Sequence, residues 1–226
     1  MRKISSGIDL ILLLLYFEDS RGKREIEGIT RLTKMIFWLV KKYFANLDKE
    51  FEFEAWERGP WSPKICDYLE LLESKDLISI EERPLKPWEE EDYDAIRFEE
   101  EQEVFSEEAR NKMKIIRLTS KGEEVVKKIT ILIDRSEIEK IKEVKSYLNR
   151  LELREILWKT YTQYGKFTIK SKIKDNVLKL EDDIKRKYPF VREIDKELLN
   201  YVGILPRITI EDEKLLLRKI VEERCK

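Results

Sequence analysis

From Leu10 to Phe17 the chain reads Leu-Ile-Leu-Leu-Leu-Leu-Tyr-Phe without a polar side chain. Wound as a helix, this segment is apolar on every face, and such a helix belongs in the middle of a core. It is far shorter than the roughly 18 apolar residues of a membrane span. It also lacks the small-residue cleavage site of a secretory signal and runs straight into Glu18-Asp19. The expectation is a buried first helix in a cytoplasmic protein with no membrane segment. Ser6-Gly7-Ile8-Asp9 supplies its capping-box-like start.

A core that surrounds such a helix needs amphipathic partners. Ile29, Leu32, Met35, Ile36, Leu39, Val40 and Tyr43 recur at spacings of three and four, predicting a second helix from about Thr30. Asp19 to Gly28 reads as a turn region carrying the basic knot Arg21-Gly22-Lys23-Arg24. Phe51 to Trp56 alternates with the period of a half-buried strand. In Arg58-Gly59-Pro60-Trp61-Ser62-Pro63, Gly-Pro ends that strand, Ser62 is placed to cap a helix and Pro63 suits its first position. Ile65, Leu69 and Leu72 give the stripe of that helix, to about Lys75. Trp56 and Trp61 bracket the turn and are expected to close the core beneath it, the alternative being an exposed anchor.

Ile78–Glu82 and Lys114–Leu118 read as strands, and Thr119 caps a helix with Val125, Ile129 and Leu132 facing inward. Ser136-x-x-Glu139 opens the longest helical pattern, to about Tyr164, in which Ile141, Val144, Leu148 and Leu151 form a short heptad seam. That seam packs either within the chain or against a second copy. Further helices are expected at 170–187, 195–201 and 210–224. The fold class is mainly α with a small antiparallel sheet (α+β). Residues 1–135 form one domain with an acidic insertion at 83–110, and residues 136–226 a helical C-terminal region.

Charge is unevenly placed. Overall, 46 Lys+Arg against 47 Asp+Glu give a net −1, yet residues 81–108 hold 13 acids and 3 bases, so the remainder is net +9. A block of this kind is a solvated loop, or else a partner-binding segment. The second reading draws on Trp88, Tyr93, Ile96, Phe98, Val104 and Phe105, and gives residues 86–108 a basic protein partner. The charges are chiefly Lys and Glu, with 2 Gln and 4 Ala, as in proteins of hot habitats.

The chain has no histidine, which excludes His-based nucleophile systems, His-ligated zinc and imidazole acid–base pairs. Seven scattered glycines make neither a P-loop nor a dinucleotide fingerprint. Cys66 and Cys225 have no metal-site spacing and read as a buried thiol and a tail thiol. No catalytic residue, metal or cofactor is expected, and the chain is not expected to be an enzyme.

Three motifs carry a resemblance. Thr30-Arg31-Leu32-Thr33-Lys34-Met35-Ile36-Phe37 resembles the "TRLxKLxF" helix of the Panacea-type antitoxin domain and its archaeal predicted-regulator relatives. Phe53 to Ser62 resembles their "YGPfS" turn. Leu118-Thr119-Ser120-Lys121-Gly122-Glu123 resembles the "LTxKG" close of the wing in PadR- and MarR-like regulators. Together they cover about residues 5–135 and imply a winged helix-turn-helix. They further imply a DNA-binding transcriptional regulator acting as a homodimer, with double-stranded DNA as partner.

In such folds the helix before the wing, here 63–75, commonly enters the major groove. Arg21, Lys23, Arg24, Arg31, Lys34 and Arg58 would then hold the phosphate backbone, while Lys64, Tyr68 and Lys75 reach base edges. Ile141, Val144, Leu148 and Leu151 would pair the two subunits. Against this stands the charge of helix 63–75, three acids to two bases. The alternative is an antitoxin-like or adaptor module that uses the same fold to bind protein and not DNA.

Overall fold

Helix α1 (Gly7–Tyr16) lies where its composition demands. Leu10 through Leu15 are all buried, and the Ser6 hydroxyl accepts from the Ile8 amide at 3.2 Å. The computed structural model describes residues 2–87, 89–90 and 112–179. These belong to one compact unit, Met1–Pro189; a second unit, Phe190–Lys226, lies outside the described residues.

After α1 come β1 (Ile26–Glu27), α2 (Ile29–Lys42), the single turn α3 (Asp48–Phe51), and the hairpin β2 (Glu54–Trp56) and β3 (Gly59–Trp61). Helix α4 (Pro63–Ser74) follows, then β4 (Ile78–Pro84), β5 (Lys112–Leu118), α5 (Ser120–Leu132), α6 (Arg135–Leu148) and α7 (Leu153–Gln163). One antiparallel sheet has the order β1-β5-β4, and β2-β3 forms a second. The protein is therefore mainly α with a small antiparallel sheet.

Strands β4 and β5, both expected, pair antiparallel from Ile78 opposite Leu118 to Pro84 opposite Lys112. Strand β1, missed in the sequence, is two residues long, too short for any alternation to register; Ile26 lies opposite Ile116. Arg83 ties the end of β4 to β1, donating to Glu27 at 2.9 Å and to Glu89 at 2.6 and 2.7 Å. Most of the acidic insertion lies outside the described residues.

Helix α6 corrects three expectations. Ile141, Val144, Leu148 and Leu151 are each 8% exposed or less and share one core with α1 and α2. They are sealed inside the protomer and cannot pair two copies. For the same reason no domain boundary falls at 135/136. A first helix apolar on all sides needs neighbours on all sides, and α6 covers one of them.

Finally, the long helix is two. Arg31 donates to the Leu148 and Leu151 carbonyls at 2.9 and 2.8 Å, satisfying the end of α6. Glu152 and Glu155 cap the start of α7 reciprocally. The cap of α6 itself is Asp134, which accepts from the Ser136 amide at 2.8 Å. Replacing Val144 with Ala is expected to cost about 2 kcal/mol through the cavity it leaves. Urea unfolding reads that loss, and sedimentation should show an unchanged mass; a halved mass would restore the intersubunit seam.

Smaller departures have similar local causes. Ser62 holds the N-cap position of α4 but makes no side-chain cap bond; its hydroxyl donates to the Phe51 carbonyl and staples the hairpin entry. Val126 takes the inward position on α5, leaving Leu132 half in solvent. Cys66 is exposed, not buried.

Candidate functional site

Helix α4 and its C-cap carry Lys64, Tyr68 and Lys75, the residues expected from the sequence to read base edges. Ile65, Leu69 and Leu72 bury its inner stripe, leaving Cys66, Asp67, Glu70, Leu71 and Glu73 in solvent. Leu71 is 43% exposed, one turn on from Asp67 and one turn before Lys75. Lys64 pairs with Asp67 at 3.5 Å, a weak contact between exposed groups. Tyr68 leans back into the fold and donates to Glu50 at 2.7 Å; burial and the Glu50 carboxylate push its phenol up to about 12. Lys75 is exposed at the helix end, where its carbonyl accepts from Lys121.

The other cations expected to hold phosphates are placed by the fold itself. Arg21 donates to Asp19 at 3.2 Å and to the Asn149 carbonyl at 2.5 Å. Lys23 pairs with Glu27, and Arg24 with Glu18 and Glu123 while lying over the Tyr16 ring. Arg31 caps α6, as above. Lys34 is 1% exposed and cannot reach a duplex.

Three of these residues do converge. Arg21, Lys23 and Arg31 line a cleft of about 410 Å³ together with Arg150 and Arg154, which the sequence did not single out. Lys86 lines the same cleft, as do Glu25, Glu27, Glu89 and Glu152, so six cations face four carboxylates there.

A second cavity, about 210 Å³, lies against the β2–β3 hairpin and is lined by Thr30, Thr33, Lys34, Arg58, Trp56 and Trp61, among others. Lys34 donates to the Pro60 carbonyl at 2.8 Å. Burial, with the nearby Arg58 charge, holds its ammonium down to about 7. Trp56 is 46% exposed, so it does not close the core. Gly59 takes φ +80°, and a Cβ there would meet Tyr161 at 2.6 Å, which is why this turn needs glycine. Thr33 was legible only as part of a helical motif; nothing in its spacing signals a cavity wall.

Among the described residues, no group of three or more His, Cys, Asp or Glu is placed to hold a metal ion, and no helix is long and apolar enough to cross a membrane. Compared with family models, with curated proteins and with solved structures, the chain has no match.

Proposed function

We propose that this chain is a winged-helix protein-interaction module that offers α4 to a basic protein segment and does not bind DNA. One observation carries the reading: on α4 the half-exposed Leu71 lies one turn from Asp67, and Glu70 and Glu73 stand in solvent on the same helix. An apolar centre within a charged rim suits a protein partner of opposite sign. Duplex DNA would meet the same face with one negative charge per roughly 1.7 Å of axis. The acidic segment 86–108, in the wing that follows α4, adds charge of the same sign. A duplex-binding regulator, the role implied by the resemblance, draws on the six cations of the 410 Å³ cleft, of which the four glutamates among them offset all but two.

The direct test uses a helical lysine–leucine peptide as the basic probe. Binding to the full chain is expected, and the double substitution Asp67→Lys with Leu71→Ser should weaken it about tenfold, removing both the charge and the apolar anchor. Equal binding by wild type and variant, or no binding at all, would remove α4 as the docking face.

A further inference from the structure

Lys34 is a buried amine without a counter-ion. It sits on α2 at 1% exposure, and its ammonium is satisfied by the Pro60 carbonyl at 2.8 Å. No carboxylate pairs with it among the described residues; the charge that acts on it is that of Arg58, of like sign. Burying an ammonium without an opposite charge is costly, and two cations beside one cavity focus an attractive field for an anion.

A second observation points the same way. The Thr33 side chain is fully buried, its hydroxyl oxygen has no hydrogen-bond partner, and it lines the same 210 Å³ cavity. An unpaired buried hydroxyl costs stability unless a ligand or water meets it. The acid at the rim, Glu57, is already paired with Lys172 at 3.0 Å.

The remaining wall is aromatic. In the hairpin register Trp56 lies opposite Gly59 and Trp61 opposite Glu54, so both indoles stand on one hairpin face, and both line the cavity. The volume falls below the roughly 300–1,000 Å³ of drug-sized pockets, so the occupant is a small one. A phosphate would leave the indole wall without use; a carboxylate with a short hydrocarbon tail uses both halves.

We propose that the cavity against the Gly59-Pro60 turn binds a small aliphatic carboxylate, its head on Lys34, Thr33 and Arg58 and its tail against Trp56 and Trp61. The bound head supplies the opposite charge that Lys34 lacks and an acceptor for the Thr33 hydroxyl. Because Pro60 and Trp61 lead directly into α4, occupancy also bears on how that helix is seated.

The test is calorimetric titration of the full-length chain with butyrate, its neutral counterpart butyramide, and inorganic phosphate. Saturable binding of butyrate is expected, at least tenfold tighter than butyramide and tighter than phosphate. Lys34→Met should weaken it tenfold or more, and Thr33→Val, which keeps the side-chain shape, severalfold. Unfolding midpoints of both variants confirm that they are folded; Lys34→Met removes an unfavourable buried charge and should not lower the midpoint. No saturable response to butyrate up to about 20 mM, where a ligand this small should register, would overturn the proposal. So would butyramide or phosphate matching butyrate, or unchanged binding in both folded variants.

Discussion

Raising the pH from 7 to about 9.5 is expected to stabilise this protein, by on the order of 2–3 kcal/mol for each of two buried lysines. Lys34 and Lys145 are held down to about 7, in both cases chiefly by burial. Lys145 reaches the core from α6 and donates to the Leu14 and Arg24 carbonyls at 2.7 and 2.5 Å. In the unfolded chain each ammonium returns to its ordinary value near 10.5. Below pH 7 both states carry the proton, and the full burial penalty weighs on the fold. Between 7 and 10.5 the unfolded state binds more protons than the native one, so unfolding free energy climbs with pH. The window closes near pH 10, where tyrosines ionise in the unfolded chain while Tyr68 and Tyr161, each pushed up to about 12, stay protonated in the fold. Urea unfolding at a series of pH values measures this. Lys34→Met should leave a slope about half as steep, whereas a flat or falling profile in the wild type would mean both lysines remain charged in the core.

Replacing Gly122 with Ala is expected to cost about 3 kcal/mol or more, although in an open helix the same change gains up to about 1 kcal/mol. Gly122 lies in the first turn of α5, and a Cβ there would collide with the Leu77 carbonyl oxygen and crowd Leu118. That carbonyl accepts from the Thr119 amide at 3.1 Å, and the Thr119 hydroxyl donates to the Asp76 carbonyl at 2.7 Å and accepts from the Gly122 amide at 3.0 Å. The collision is therefore with backbone held from several sides, which cannot yield as a flexible side chain would. Thermal unfolding should show a large drop in midpoint; a midpoint at or above that of wild type would mean that α5 can ride away from the sheet.

The Leu-Thr-Ser-Lys-Gly run was thus legible as a junction, and Gly122 is the residue that lets helix and strand meet there. Elements with a strong local signal were equally legible: the all-apolar α1, the Thr119 cap, Pro63 opening α4, and the paired strands 78–82 and 114–118. What the sequence concealed was partnership at a distance. The heptad seam of α6 has the same spacing whether it faces a second copy or α1 and α2, because periodicity records which side is apolar and not what covers it. Ser136 and Asp134 both suit a cap, and the two-residue offset turns on backbone angles that spacing does not encode.

The candidate site was less legible for the same reason. Arg21, Arg24 and Arg31 look like phosphate contacts in a linear reading, yet they meet Asn149, Glu123 and Leu148 from far along the chain. Lys34 looked like one more cation of a basic helix and proved to be a core residue.

The proposed role requires that α4 and the acidic segment 86–108 act on a protein and not on nucleic acid. Titrating a labelled mixed-sequence duplex at low salt, with wild-type chain and with residues 86–108 deleted, tests it most directly. Neither form is expected to be retained. Retention that tightens on the deletion and falls steeply as salt rises, with log K linear in log salt, would contradict it and make the chain a reader of DNA.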